Sequence, residues 1–217
     1  MPRSFTYSAL TLRLKASGES NREAWFLTAE EGVLRATVFG GPKSRLRAQV
    51  APFHEGTLWI YHDPVRDSRK VSDFDVRIYR SGLRELYERA MTADALAETI
   101  LASCGGGGGW PMAAKLAAGV LDALCPADAA LCSRLGVYFL WQWAGVLGVR
   151  PDTCVCAACP REIPRDKTLF YSVENEALFC ESCARNEGLS PAGVIRLCPG
   201  ARLWLAGLEN LPKDELL

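Results

Sequence analysis

The stretch VLRATVFGGPKSRLRAQV, residues 33–50, joins a candidate strand to a short basic segment through a turn. Leu34, Ala36 and Val38 share one face of an extended chain, which is the period-two pattern of a half-buried strand. The Gly-Gly-Pro sequence that follows favours a turn. KSRLRAQV (43–50) is then predicted to form a short helix.

Four further segments with strand-like composition flank this stretch. They are LTLRLK (10–15), EAWFLT (23–28), TLWIYH (57–62) and FDVRIY (74–79). Turn-forming residues separate all of them. Five short strands with a helix after the third are the layout of a small closed β-barrel of the OB type. We therefore predict an OB-type barrel domain over residues 1–80.

From Gly82 onward the apolar residues recur at helical spacing. LRELYERA (83–90), DALAETIL (94–101), AAKLAAGVLDAL (113–124) and residues 127–147 are predicted helices. The apolar run at 135–149 is shorter than the 18 or more residues expected of a spanning helix, so no membrane partner is expected. The N-terminus lacks a signal-peptide pattern, so a cytoplasmic location is expected.

Two Cys-x2-Cys pairs stand twenty residues apart in the second half of the chain. Cys156, Cys159, Cys180 and Cys183 have the spacing of two knuckles that offer four thiolates to one tetrahedral zinc ion. LFYS (169–172) and ALFC (177–180) look like a hairpin that returns the second knuckle to the first. Four protein ligands leave no open coordination position, so the predicted zinc is structural.

A redox motif and a disulfide framework are two other interpretations of these cysteines. A redox Cys-x-x-Cys normally lies at a strand-to-helix turn of a βαβ unit, which this stretch lacks. A disulfide framework suits a secreted chain. The paired spacing favours zinc over both, and residues 154–183 are predicted to be a zinc-binding insertion in a helical domain that comprises 81–153 and 184–217.

The remaining cysteines are given no chemistry. Cys154 lies two residues before the first predicted ligand and is interpreted as a bystander. Four others stand in or beside apolar helical segments, where a free cysteine usually behaves as a small buried hydrophobe. They are Cys104, Cys125, Cys132 and Cys198.

The net charge of zero conceals an asymmetry along the chain. Residues 1–80 contain 13 Lys and Arg against 9 Asp and Glu, whereas residues 81–217 contain 12 against 16. Between Gly32 and His54 there are four basic residues and no acidic residue. A polyanion, if one binds, is expected to contact the N-terminal part.

The candidate anion-binding residues lie in the stretch quoted first. Lys43, Arg45 and Arg47 with the Ser44 hydroxyl suit phosphate oxygens, and Arg35 lies on the preceding strand. Exposed aromatic residues such as Trp25, Phe39 or Trp59 could stack bases. The alternative, an ordinary solvated face, stays open on these residues alone.

Nothing in the sequence indicates catalysis. His54 and His62 are isolated, and the glycines at 105–109 are not followed by the Lys-Ser/Thr of a phosphate-binding loop. We read these glycines as a flexible connection. The chain is predicted to be a binding protein and not an enzyme.

Several short motifs then occur in a characteristic order. They are Gly18-Glu19, the Thr28-x-Glu30-x-Gly32 turn, the Gly-Gly-Pro-Lys-Ser-x-x-x-Ala block at 40–48, Pro52-Phe53 and the two cysteine pairs. In this order the sequence resembles the RecO family of bacterial recombination mediators over nearly its whole length. The resemblance implies an α+β fold with an N-terminal five-stranded OB-type β-barrel, then an α-helical domain with an inserted four-cysteine zinc ribbon. It also implies further helices after the ribbon, at 190–210.

The resemblance also implies a function. Family members bind single- and double-stranded DNA without sequence preference, anneal complementary strands without nucleotide hydrolysis, and help to load RecA in recombinational repair. The implied partners are RecR and the acidic C-terminal tail of single-stranded DNA-binding protein, with a nucleoid-associated location. Local basic residues of the helical domain, Arg84, Arg89 and Lys115, are candidates for receiving that tail.

Two other function classes remain as alternatives at this stage. One is a zinc-ribbon adaptor that joins proteins and binds DNA weakly or not at all. The other, a thiol oxidoreductase, is the more distant. Strong salt-dependent binding to unrelated DNA sequences would exclude the first, and stoichiometric zinc that resists oxidation would exclude the second.

Overall fold

The structure is a computed structural model that describes residues 3–41, 43–103, 110–188 and 193–210. Contacts within the chain group it into two compact units. The first is built on residues up to Leu140, and the second begins at Trp141. Each unit is described by itself.

The first unit begins with a closed five-stranded barrel. Its strands are β1 (Ser4–Ser17), β2 (Asn21–Thr28), β3 (Gly32–Val38), β4 (Glu55–Asp63) and β5 (Ser68–Ile78), with the short helix α1 (Arg45–Gln49) between β3 and β4. The strand order around the barrel is β1-β2-β3-β5-β4, and β1 pairs with β4 to close it. The predicted OB-type layout, including the helix after the third strand, is confirmed.

Alternate residues of every strand point into one apolar core. Phe26, Leu34, Leu58 and Phe74 are fully buried, and the rings of Phe26 and Phe74 meet edge to face at 5.9 Å. The β3–β5 pair is the single parallel pair of the barrel and is joined at one register position, Thr37 opposite Lys70. The barrel is therefore loosely closed between these two strands.

Three long helices follow the barrel. A 3-10 turn at Ser81–Arg84 leads into α2 (Tyr87–Ser103), then α3 (Trp110–Leu124) and α4 (Ala129–Val146). The two predicted helical segments at 83–90 and 94–101 form a single helix from Tyr87 onward. Gly32 has φ of +70°, and a Cβ there would lie 2.5 Å from the Trp110 ring, so α3 contacts the β2–β3 turn only because this residue is glycine.

A buried arginine joins the barrel to the helices of the same unit. The Arg80 side chain is 1% exposed and donates to Glu55 at 2.5 Å, to Asp122 at 2.7 Å and to the Phe53 carbonyl at 3.1 Å. Its own backbone is left-handed, with φ of +45°. Because Glu55 begins β4 and Asp122 lies in α3, one cation fixes both elements.

The second unit contains the cysteine ribbon. The hairpin strands β6 (Leu169–Ser172) and β7 (Ala177–Cys180) form as predicted, and a short helix α5 (Glu181–Asn186) follows. The prediction of helices throughout 190–210 is wrong in part. Residues Val194–Leu197 form strand β8, which pairs with the free edge of β6 and so satisfies backbone groups that the hairpin leaves open. The helix α6 (Pro199–Asn210) agrees with the prediction.

None of the helices within the described ranges combines the length and the apolar character that crossing a membrane requires. Two predictions, a buried Cys104 and a flexible connection at residues 105–109, lie outside the described residues.

Candidate metal centre and nucleic-acid surface

The four cysteines of the two predicted knuckles come together. The sulfur atoms of Cys156, Cys159, Cys180 and Cys183 all lie within 4.8 Å of one another, and the Cys159–Cys180 pair is 4.0 Å apart. A tetrahedral zinc with bonds of about 2.3 Å requires sulfur atoms about 3.8 Å apart. The four thiols therefore have a geometry that can hold one metal ion.

Short-range hydrogen bonds position the two knuckles. The Cys156 amide donates to the Arg161 carbonyl at 3.1 Å, which closes the first knuckle. The Cys180 amide donates to the Cys156 sulfur at 3.3 Å, so the end of β7 is bonded directly to a ligand of the first knuckle. The hairpin is what makes these two cysteines meet, although twenty-three residues separate them in the chain.

The electrostatics of the cluster lower the pKa values of two thiols and raise that of a third. The Ser182 hydroxyl and the Cys183 amide lower the pKa of Cys180 to about 6. The Arg161 backbone amide lowers the pKa of Cys159. The hydrogen bond of the Cys183 thiol to Cys180 raises the pKa of Cys183 to about 12. The Cys183 thiol is therefore hard to ionise, because negative charge on neighbouring sulfur atoms repels its thiolate. A divalent cation among the four sulfur atoms removes this repulsion.

A second buried arginine organises the loops around the knuckles. Arg202 of α6 is 3% exposed, and its guanidinium makes five hydrogen bonds of 2.6 to 3.0 Å, all to backbone carbonyls. The acceptors belong to Thr153, Ile163, Pro164 and Lys167. Sequence reasoning missed this residue, although Arg202 is the one charge in the apolar run CPGARLWLAGL (198–208).

The other described cysteines differ in position and burial. Cys154 lies outside the group of four, as predicted. Cys132 is buried and Cys125 is half-buried, and burial raises the pKa of both thiols. The prediction that Cys198 is buried is wrong, because it is exposed between β8 and α6.

The basic segment after β3 forms a compact turn and helix. Gly40 has φ of +129°, and a Cβ on it would lie 2.6 Å from Ser44, so the turn requires glycine. Ser44 is the N-cap residue of α1 but makes no capping hydrogen bond with its side chain. Lys43 and Arg45 are exposed, whereas Arg47 is half-buried and donates to the Ser20 carbonyl at 3.2 Å.

Arg35 lies in a row that crosses three strands. In the strand register Arg13 of β1 faces Trp25 of β2, and Trp25 faces Arg35 of β3. The two guanidinium carbons lie 5.8 Å and 5.6 Å from the centre of the Trp25 ring. Arg13 forms an ion pair with Glu98 and Arg35 forms one with Glu23. Pairing across strands, which local sequence does not encode, creates this row.

The other predicted aromatic residues have different surroundings. Phe39 is 52% exposed at the start of the basic turn. Trp59 of β4 is 36% exposed but faces Asp73 of β5 in the register, with Asp75 two residues further on. Trp59 lies beside carboxylates, whereas Trp25 contacts two guanidinium groups, so the Trp25 side of the barrel is the better candidate surface for a polyanion.

The three candidate partner residues lie on three elements. Arg84 is exposed on the 3-10 turn, and Lys115 is exposed on α3. The Arg89 side chain on α2 is 15% exposed and donates to the carbonyls of Ala127 and Gly82. Arg89 therefore has a structural role in the helical region.

Both histidines have hydrogen-bond partners. Nδ1 of His54 lies 2.8 Å from the Gln49 carbonyl, and Nε2 of His62 lies 3.2 Å from Asp67. Both rings therefore take part in bonds that hold the barrel loops.

Comparison with protein families agrees with this architecture. The family model described as Recombination protein O N terminal matches residues 1–77, and the model described as Recombination protein O C terminal matches residues 84–196. A search of curated proteins finds no match. The first match covers the barrel and the second covers α2 to α5 with the cysteine ribbon. The chain therefore belongs to the recombination protein O family, which acts as a mediator in DNA recombination and repair.

Proposed function

We propose that the protein is a recombination mediator that binds single- and double-stranded DNA without sequence preference. It anneals complementary strands without ATP and helps to load a recombinase onto DNA coated by single-stranded DNA-binding protein. The observation that carries this proposal is the match of both family models to a chain whose OB-type barrel presents a basic segment.

The basic segment suits contacts to the DNA backbone. Lys43 and Arg45 are exposed, Arg47 lies on α1 two residues after Arg45, and the Ser44 hydroxyl is not used for capping. Phosphate contacts position a protein on DNA without reading its sequence. Arg35 supports this surface from β3. Affinity is therefore expected to fall steeply with salt, through release of counterions.

Annealing needs little more than such a surface. Two strands held on a cationic patch repel each other less, and their local concentration rises until base pairing takes over. Neither step consumes a nucleotide.

The metal that best fits the centre is one structural zinc ion held by Cys156, Cys159, Cys180 and Cys183. Four thiolates at these distances match zinc in size, charge and geometry. Such a closed site organises the ribbon and offers no position for substrate.

The proposed partners follow from the family. They are RecR, the acidic tail of single-stranded DNA-binding protein and, indirectly, RecA, at a cytoplasmic site on the nucleoid. Arg84 and Lys115 are exposed and suit an acidic peptide, whereas Arg89 is committed to backbone carbonyls. We therefore keep the first two as the residues to test.

The experiment is a salt titration of binding to two unrelated single strands and to one duplex. We expect similar affinities for the two strands and a linear fall of log K with log salt concentration. The Arg45→Gln variant is expected to reduce the single-strand slope by about 0.7, which is one phosphate contact. Binding to none of the three DNAs at low salt would reject the proposal and favour the zinc-ribbon adaptor.

A further inference from the structure

A groove lies where the barrel is loosely closed. It has a volume of about 560 Å³ and is lined by residues of β3, by Glu23 of β2 and by residues at the start of β5, among them Arg35, Thr37, Ser68 and Arg69. The groove exists because β3 and β5 are paired at Thr37 and Lys70 alone. Its volume is within the range of about 300–1,000 Å³ that small-molecule sites have.

Arg35 forms one wall of this groove and is supported from behind. The Trp25 ring of β2 lies 5.6 Å from its guanidinium carbon, and Arg35 also lines the groove together with residues of β5. The Arg35 side chain is 61% exposed. The Glu23 carboxylate holds the guanidinium by an ion pair. A planar cation whose position is fixed in this way is a stacking surface for a flat aromatic ligand.

The charges of the groove select a neutral ligand. Its two cations, Arg35 and Arg69, are balanced by two carboxylates, Glu23 and Asp67. This balance differs from that of the basic segment, where Lys43, Arg45 and Arg47 stand with no acidic residue between Gly32 and His54. A free phosphate gains little in such a groove, whereas a base gains a stacking partner and carboxylate acceptors for its amino group.

We propose that the groove between β3 and β5 binds an unpaired base of single-stranded DNA, stacked on the Arg35 guanidinium that Trp25 supports. This inference rests on the proposed function and adds a second kind of contact to it. A base reaches the groove only when it is unpaired, because a base in a duplex is stacked between its neighbours. The basic segment then holds either form of DNA, and the groove selects the single strand.

The test compares two strands of equal length and charge, one carrying its bases and one made of abasic units. Because a stacked base contributes about 1–3 kcal/mol, we expect the wild type to bind the strand with bases about 5-fold to 150-fold more tightly. The Arg35→Lys variant keeps the charge but loses the planar surface. It is expected to lose this preference while its salt dependence stays unchanged. The matched control is Arg77→Lys on β5, an exposed arginine that donates to Thr57.

A second variant fills the groove and changes no charge. Ser68 is exposed at the start of β5, and Ser68→Ile is expected to reduce the preference for bases as Arg35→Lys does. This variant keeps the test decisive if Arg35→Lys lowers the melting temperature.

The outcomes separate this inference from the proposed function. Loss of base preference in Arg35→Lys and Ser68→Ile, with Arg77→Lys unchanged, supports the groove. A preference that survives both variants, or a wild type that binds abasic strands equally well, overturns the groove but leaves backbone binding intact. Failure to bind either strand overturns the proposed function itself.

Discussion

The barrel and the cysteine ribbon are stabilised by different means. The barrel core contains 12 buried residues, nearly all hydrocarbon. Among the described residues, the buried cluster around the cysteines contains three, Cys156, Phe179 and Cys180, and two of these are candidate metal ligands. Apolar burial can stabilise the barrel by itself, whereas so small a core needs a metal or a crosslink. Loss of the metal should therefore destabilise the ribbon and leave the barrel folded.

The two buried arginines extend this contrast. Arg80 in the first unit contacts two carboxylates, so its charge is neutralised by ion pairs. Arg202 in the second unit contacts backbone carbonyls only. The first arginine fixes a helix to a barrel, and the second holds loops that have no regular structure of their own.

Removal of a metal ligand is expected to have the largest effect. Structural zinc contributes on the order of 10–16 kcal/mol in zinc-finger peptides. The Cys156→Ser variant should therefore lose the bound metal and the hydrogen-exchange protection of residues 154–183, while the barrel strands keep theirs. Metal analysis and hydrogen exchange measure both. Cys154→Ser, two residues away, is the control that keeps one metal per chain. Retention of metal by Cys156→Ser would contradict the assignment.

Replacement of Arg80 is expected to have the next largest effect, on the stability of the first unit. Arg80→Met leaves Glu55 and Asp122 without their cation. Because these carboxylates are 26% and 46% exposed, water solvates them in part, and we expect a loss of about 3 kcal/mol, the low end for a broken buried pair. Urea unfolding followed by a barrel signal should show this loss. The exposed Arg77→Met should change stability by no more than about 0.5 kcal/mol. Equal stability of the two variants would show that Arg80 does not join barrel and helix.

Replacement of Arg202 should have a smaller and local effect. Arg202→Met leaves the four carbonyl acceptors without their donor, at about 1–3 kcal/mol for an unsatisfied buried group. We expect metal affinity to fall about tenfold in competition with a chelator, and the unfolding of the barrel to stay the same. Arg196→Met, at an exposed position of β8, is the control. A less stable barrel with unchanged metal affinity would contradict the prediction that Arg202 acts locally in the ribbon.

The smallest expected effect is a loss of barrel stability at alkaline pH. Burial, and the 2.6 Å hydrogen bond to Glu31, raise the pKa of Tyr7 to about 12. A raised pKa stabilises the fold below pH 10, and this contribution is lost as the pH rises through 12. The wild type should lose up to about 2 kcal/mol over this window. Tyr7→Phe should show a flatter profile, and Tyr79→Phe, at an exposed tyrosine, should follow the wild type. Identical profiles for wild type and Tyr7→Phe would reject this account.

Local patterns were sufficient for most elements of the fold. Strand-like composition and period-two alternation located the five barrel strands, and paired cysteine spacing located the four cysteines that come together, because both signals lie in short stretches of sequence. Strand β8 was missed because VIRL (194–197) is short and its pairing with β6 is set by the hairpin. Arg80 and Arg202 were missed as anchors because an arginine is ordinarily a surface residue.

The nucleic-acid surface was predictable only in part. Lys43, Arg45 and Arg47 are neighbours in sequence, so their cluster could be read directly. The row of Arg13, Trp25 and Arg35 depends on the register of three strands. The groove beside Arg35 depends on how incompletely β3 and β5 pair. Neither feature has a signature within any single segment.

The most direct test of the central claim is the annealing of two complementary single strands without ATP. The wild type is compared with Arg45→Glu/Arg47→Glu and with Arg77→Glu/Arg84→Glu, which makes the same change of charge away from the basic segment. Folding and metal content are checked for all three. We expect fast annealing by the wild type and the control and loss of annealing in Arg45→Glu/Arg47→Glu. Equal annealing by all three proteins, or none by the wild type at low salt, would contradict a DNA surface on the barrel.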